Sequence, residues 1–411
     1  MRYARDDIVV VGGGFAGFWA GVAARRVAGA HRAITLISRE PVLQIRPRLY
    51  EAHPESLAVD LRPHLSALRI GFIAGSVTSL DVEAHVIELA TGERRHYQRL
   101  IVSTGSQLRR PPVAGADDAF SVDSQCDAVV FDHHLRGIAR AVRRPSVAVV
   151  GAGFTGIELA LELRDRVAVH NDSGVAERLR IHLFDRSPVV GPELGPSPRP
   201  TIERALEAAG IDVHLGVSIT ALAGDRISLK DGSTFGYDAV VLTTGMSAAS
   251  FASLIPGAHD DLGRVFVDRA LRATAAPHVF VAGDAAAAMI AEGGPLALQS
   301  CQHALQMGRF AGENAARDLL GMPLRSYEQQ RYVTCLDLGR SGALWTEGWD
   351  RAVTKTGAEA KALKRWINRV VIYPPSNMST ESLLALSSTD PSIQRDVRGD
   401  DNSSLWQRAN V

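Results

Sequence analysis

The stretch Ile8-Val-Val-Val-Gly-Gly-Gly-Phe-Ala-Gly-Phe-Trp-Ala20 decides the fold. Four β-branched residues in a row read as a strand buried on both faces. Gly12-x-Gly14-x-x-Gly17 follows, and then an alanine-rich run that reads as a helix. In a turn of this kind the first glycine permits the tight bend and the second lets a diphosphate approach the backbone. The third lets the helix pack closely on the strand, and the helix N-terminus presents free N–H groups to the anion.

One such turn is weak evidence, because glycine turns occur without ligands. Here the pattern recurs as Val147-Ala-Val-Val-Gly-Ala-Gly-Phe-Thr-Gly-Ile-Glu-Leu-Ala160, with Gly151, Gly153 and Gly156 in the same places. Two copies, each between a strand and a helix, predict an α/β protein with two Rossmann-type dinucleotide-binding domains.

The rest of the chain repeats this plan twice. Ala33–Ile37 and Arg180–Asp185 read as the second strands of the two units, and Leu100–Gly105 and Val240–Gly245 as strands ending in Thr-Gly. Gly71–Ala74 and His85–Leu89 read as a small antiparallel element, and the proline-rich Gly191–Pro200 as a loop. Pro111-Pro112 marks a linker, Val279–Ala285 a further strand, and Gln299–Leu320 a helix. The expected division is a first domain at 1–111 and 257–325, interrupted by a second at 112–256, with a C-terminal segment at 326–411.

Composition excludes several classes. Lys+Arg and Asp+Glu both number 45, so no basic excess marks a nucleic-acid binder. No apolar run approaches the ~20 residues of a membrane-spanning helix, and Met1–Asp7 is not a signal peptide. Cys126, Cys301 and Cys335 stand apart, with no Cys-x-x-Cys pair, so a disulfide scaffold, a zinc ribbon and a thioredoxin-like pair are excluded. The thirteen histidines show no metal-ligand spacing. A reducing, cytoplasmic setting is the expectation.

Cofactor-facing residues follow from the two units. In the first these are Gly12, Gly14 and Gly17, with Thr104, Gly105 and the Gly283-Asp284 turn. Its ribose hydroxyls fall either to Glu40 or to Ser38, with Arg39 covering the adenine. In the second, Gly151, Gly153, Gly156 and Gly245 are joined by Asp185. A carboxylate at that strand end accepts two ribose hydroxyls and repels a 2′-phosphate, which favours NADH. The adjacent Arg186 leaves NADPH open.

Together these elements resemble the pyridine-nucleotide-dependent FAD flavoproteins, and within them the type II NADH:quinone oxidoreductase (alternative NADH dehydrogenase) branch. Gly151–Ala160 resembles that branch's nicotinamide loop, including Thr155 and Glu158. Cys301-Gln-His-Ala-Leu-Gln-Met-Gly308 resembles its Ala-Gln-x-Ala-x-Gln-x-Gly quinone motif, with cysteine in place of the first alanine. Leu336-Asp-Leu-Gly-Arg340 resembles the glycine turn that comes after. The resemblance implies FAD in the first unit and NADH in the second, with hydride passing to the flavin and two electrons passing on to a quinone or small aromatic acceptor. It makes Glu158, Gln302 and Gln306 the polar groups of the acceptor site. The two glutamines are four apart and share a helix face. Amide donors stabilise the charge that develops on an acceptor carbonyl, and Glu158 is placed to relay protons.

Other readings stay open at this point. The cysteines invite comparison with sulfide:quinone reductases, but they are expected to be small buried hydrophobes. Disulfide reductases need paired cysteines near the first glycine loop, which this chain does not have. A flavoenzyme acting on a small aromatic metabolite, a nicotinamide-sensing flavoprotein without fast turnover and a ferredoxin reductase also use this plan. Residues 359–372 form a basic amphipathic helix, with Leu363, Trp366, Ile367, Val370 and Val371 on one face and Lys361, Lys364, Arg365 and Arg369 on the rest. Such a helix lies on the inner face of an anionic membrane, as a peripheral contact, or docks on the protein body. Whether the chain is a homodimer is not legible.

Overall fold

The computed structural model describes residues 4–169, 173–329, 331–376, 378–390 and 393. Most of the chain beyond Ser376 lies outside the described residues. The core is a mixed α/β structure built on two parallel sheets. The larger has eight strands. Its path runs Arg272–Ala273, Ala276–Val281, Arg94–Val102, Ala4–Val11, Ile34–Ser38, Gly71–Ala74. All neighbours on this path are parallel except the first pair. The second sheet has five strands, all parallel, in the order Phe120–Ser121, Ala239–Leu242, Ser146–Val150, Arg180–Phe184, Asp212–His214.

The run Ile8–Val11 lies at the centre of the larger sheet and is almost wholly buried. Both faces of the strand are covered, so its apolar residues do not alternate with polar ones as they would on a half-exposed strand. The chain leaves the first sheet after Arg94–Val102, builds the second sheet, and returns with Ala276–Val281 beside Leu100–Val102.

One expectation is corrected. Gly71–Ala74 does not belong to an antiparallel element; it extends the larger sheet in parallel beside Thr35–Ser38. The antiparallel hairpin is formed instead by Val77–Asp81 and Val86–Leu89, and its second strand pairs antiparallel with Arg94–His96 of the larger sheet. Four residues carry too little pattern to reveal which partner they pair with, and pairing is a tertiary choice.

Two helices run side by side under the larger sheet, Phe15–Ala28 from the first glycine turn and Cys301–Leu319 from the return of the chain after the second sheet. Their approach requires glycine. A methyl group built on Gly308 would lie 2.3 Å from the Ala16 carbonyl oxygen, and one on Gly312 would lie 2.1 Å from that of Ala20. The second helix starts where the sequence placed it, with the Ser300 hydroxyl accepting a hydrogen bond from His303 N–H. Close packing therefore brings the N-terminus of a late helix next to the first glycine turn.

The C-terminal segment adds a three-stranded antiparallel sheet, Val333–Asp337, Ala343–Glu347 and Ala352–Thr356, and the helix Gly357–Trp366. Among the described residues no helix is long and apolar enough to cross a membrane.

Two glycines inside helices predict substitutions of opposite sign. Gly312→Leu must separate the two helices and should cost about 3 kcal/mol or more in a denaturant titration, as overpacking does. Gly137 lies in the helix Gln125–Ala141 with open space around it. There an alanine should stabilise the protein by roughly 0.5–1 kcal/mol.

Candidate active site

Both glycine turns are built by one local rule. Gly12 and Gly151 have φ of 109° and 114°, the region that favours glycine. A methyl group on Gly17 would lie 1.8 Å from the Gly12 carbonyl oxygen, and one on Gly156 would lie 1.8 Å from that of Gly151. The third glycine of each turn thus lets the helix sit directly on the first. Hydroxyls latch both turns from the neighbouring strand. Ser103 Oγ donates to Val11 O and Gly12 O, and Thr243 Oγ1 donates to Val150 O and Gly151 O. Ser103 and Thr243 were missed from sequence, although their signal was present in the matched Ser-Thr-Gly and Thr-Thr-Gly endings.

The middle glycines differ in kind, because they face space. Around Gly14 nothing lies within 4 Å of the position a Cβ would take, and at Gly153 only Glu193 Oε2 is near, at 3.5 Å. Both open onto one continuous cavity of about 3110 Å³. That is several times the roughly 300–1,000 Å³ of a single-ligand pocket. All but a few of the residues singled out from sequence line it. Ser38 and Arg39 are on its wall, whereas Glu40 is exposed and lies away from it. Gly17 and Gly156 stand behind the wall, packed on their turns. The Thr104 hydroxyl is buried at the cavity with no hydrogen-bond partner. Asp284 accepts from Ser106 Oγ at 2.7 Å. Arg46, which sequence did not single out, bonds the Asp123 carbonyl and ion-pairs its carboxylate, fixing the wall between the two sheets.

Asp185 stands at the end of its strand as expected, but its carboxylate is already engaged. One oxygen accepts from Ala152 N–H at 2.6 Å and the other from Ser187 N–H at 2.7 Å. It therefore shapes the second glycine turn as well as facing the cavity.

Gln302 and Gln306 both reach the cavity from the first turns of the late helix. Arg309 donates to Gln306 Oε1 at 3.3 Å, which holds that amide by its oxygen. Between the two glutamines' neighbours, His303 faces the other way and is fully buried, bonding Gln329 at 2.9 Å. Burial lowers its pKa to about 4, so it anchors the helix as a neutral ring.

Glu158 is almost wholly buried, accepts from Asp337 N–H at 2.9 Å and pairs with Lys364 Nζ at 2.8 Å. Burial raises the Glu158 pKa against the opposing pull of Lys364. Burial also works against the Lys364 ammonium, but Glu158 beside it outweighs this and raises its pKa. At neutral pH the ammonium is held, and the carboxylate takes up a proton more readily than one in water. One turn further along, Glu162 is pushed up to about 7 by burial and by Asp337.

Lys364 overturns the simple amphipathic reading of residues 359–372. Lys361 and Lys364 point inward, to Asp337 and Glu158, and only Arg365 and Arg369 of the four cations are exposed. Of the apolar face, Leu363 is buried but Val370 is 50% exposed. The α-helix stops at Trp366 and continues as a π-turn over Ile367–Val371, which rotates the later residues off the stripe. The helix is docked on the body.

The cysteines are free. Cys301 and Cys335 are pushed up by burial, to about 11 and about 12, and stay thiols at neutral pH. Cys126 departs from the expectation of a small buried hydrophobe. It is exposed, on the first turn of Gln125–Ala141, because only the opposite side of that helix packs inward.

The sequence matches the profile of the family described as pyridine nucleotide-disulphide oxidoreductase over residues 6–308. It is 38% identical over 397 residues to an NADH dehydrogenase-like protein of Mycobacterium tuberculosis, covering 94% of this chain and 98% of that one. It is 24% identical over 383 residues to a type II NADH:quinone oxidoreductase of Haemophilus influenzae, covering 82% of this chain and 86% of that one. Among solved structures, the sulfide:quinone oxidoreductase of Aquifex aeolicus matches with a TM-score of 0.77 at 18% identity, over 96% of this chain and 94% of that one. At that identity the likeness speaks for the fold alone.

The buried pair predicts a stability cycle. Lys364→Met leaves the Glu158 charge unpaired and should cost about 3–5 kcal/mol. Adding Glu158→Gln should recover much of the loss, since the amide oxygen still accepts from Asp337 N–H. Without Lys364 the folded-state pKa of Glu158 rises further, so stability is retained at low pH and lost as pH rises. Denaturant midpoints at pH 5 and pH 8 should show the larger deficit at pH 8.

Proposed function

Because the chain belongs to the pyridine nucleotide-disulphide oxidoreductase family, we propose that it is an NADH-driven flavoprotein that reduces a quinone or quinone-like acceptor. The observation that carries this reading is the single cavity shared by both glycine turns and by Glu158, Gln302 and Gln306. Two dinucleotide sites opening on one space, with polar side chains between them, suit electron transfer from one bound ligand to another.

The residues fit the two cofactors. At the first turn, the space outside Gly14 and the unpartnered Thr104 hydroxyl suit the diphosphate and polar chain of FAD, with Ser38 and Arg39 placed for its adenosine end. At the second, Gly153 and the helix N-terminus suit the diphosphate of a nicotinamide dinucleotide. The Asp185 carboxylate beside it disfavours a 2′-phosphate, which supports NADH. When bound, the flavin supplies the capacity to take a hydride from nicotinamide and give two electrons onward.

The chain's own groups would serve the acceptor. The side-chain NH2 of Gln302 and of Gln306 can donate to an acceptor carbonyl, whose oxygen gains negative charge on reduction. Lys364 fixes the Glu158 carboxylate at the cavity wall, where it can hold and pass on a proton. No cysteine pair flanks the first glycine turn, so the disulfide chemistry in the family's description has no counterpart there. The inward turn of Lys361 and Lys364 also favours an acceptor that reaches the cavity without a strongly basic membrane-lying helix.

The purified protein should be yellow, with one FAD per chain. Gly14→Val should fill the diphosphate space and give colourless, folded protein; full flavin content in this variant would remove the first turn as the FAD site. Gln302→Ala should leave anaerobic bleaching of the flavin by NADH within about twofold of the parent. It should slow reoxidation by menadione on the order of tenfold, the loss of one hydrogen bond to developing charge. Stopped-flow absorbance separates the two half-reactions, and equal losses in both would place the acceptor elsewhere.

A further inference from the structure

Arg351 is a buried cation, 6% exposed, and no carboxylate among the described residues lies within ion-pairing distance of it. It belongs to the turn between the strands Ala343–Glu347 and Ala352–Thr356, where it adopts φ 55°. Non-glycine residues enter that region seldom. Its guanidinium lies over the Phe154 ring at 5.2 Å and over the Tyr332 ring at 5.0 Å. One nitrogen donates to Thr334 Oγ1 at 2.9 Å. A guanidinium has five N–H donors, and the remaining ones are left over. Arg351, Phe154, Tyr332 and Thr334 all line the cavity.

A purely structural arginine would spend its donors on backbone carbonyls or a carboxylate, as the buried Arg166 does with Asp132, Leu49 and Ala128. Cation–π contact offsets part of the desolvation of Arg351 but supplies no partner for its charge. The place points to one. Phe154 is the first residue of the helix opened by the second glycine turn and adjoins Gly153. A second contact holds the turn's strand against the same region, where Val353 N–H donates to Ser197 Oγ at 3.2 Å. The planar fork of arginine binds phosphate oxygens with two parallel donors.

We propose that Arg351 binds the diphosphate oxygens of the nicotinamide dinucleotide, a clamp supplied by the C-terminal segment from outside the glycine turn. This rests on assigning the second unit to that dinucleotide. It makes the hairpin a part of the dinucleotide site, and Arg351 a positioning residue for hydride transfer.

ADP-ribose carries the diphosphate and no nicotinamide, so its affinity isolates the contact. Calorimetry on the flavin-loaded protein should show Arg351→Gln binding ADP-ribose on the order of tenfold or more weaker than the parent, the loss of a charge-assisted hydrogen bond. Arg351→Lys should restore part of the loss. KM for NADH should rise with kcat changing little, while flavin content and thermal midpoint stay at the parent's values. Unchanged ADP-ribose affinity in Arg351→Gln overturns the inference, as does a rise confined to the KM of the electron acceptor, which would assign the cation to the acceptor instead. A fall in thermal midpoint shared by both variants, with binding lost alike in each, would also overturn it in favour of a structural arginine. Failure of the parent protein to bind ADP-ribose would overturn the assignment of the second unit itself, and is thereby distinguishable.

Discussion

The close approach of helix to strand at the two glycine turns is the constraint on which the rest depends. The third glycine of each turn rests on the carbonyl of the first, at a separation that leaves no room for a methyl group. Each helix N-terminus is thereby held at the carboxyl end of its sheet, with its free N–H groups facing outward. The Ser103 and Thr243 hydroxyls bind both turns to the adjacent strand, so the geometry is fixed from two sides. Because both turns obey the same rule, both open on the same side, and a single cavity lies between them.

A second close approach brings chemistry to that cavity. Gly308 and Gly312 let the late helix lie on the backbone of the first glycine-turn helix, over Ala16 and Ala20. The start of the late helix, with Gln302 and Gln306, then has to face the first turn. The buried, neutral His303 and its stack with Tyr332 set the helix's rotation about its own axis. The amides consequently point to the cavity and not into the core.

The C-terminal segment closes the site through charge. Glu158 belongs to the second unit and would be a costly isolated charge in its buried position. Lys364 meets it from the docked helix, Lys361 meets Asp337 beside it, and burial in the same surroundings pushes the Glu162 pKa up to about 7. The Lys364–Glu158 pair ties this helix to the second unit more specifically than apolar packing would, because removing either partner leaves a buried charge. Attachment of the helix and the protonation behaviour of the cavity wall are therefore one property.

The fold, both glycine turns, the strand ends around Thr104 and Gly245 and the start of the late helix were legible in the sequence. Each is a local pattern whose physics involves neighbours in the chain: a β-branched run, a turn that only glycine permits, a helical period. What the tertiary structure decided concerns pairs far apart in sequence. Whether Gly71–Ala74 pairs in parallel or antiparallel depends on which edge is vacant. Lys364 reads as a solvated cation beside its neighbours and becomes a buried one only because Glu158 lies opposite. Arg351 sits in an undistinguished turn, and its lack of a carboxylate partner appears only once every surrounding element is in place. Periodicity assigns a residue to a face of its own element, whereas a charge acquires its role from the element packed against it.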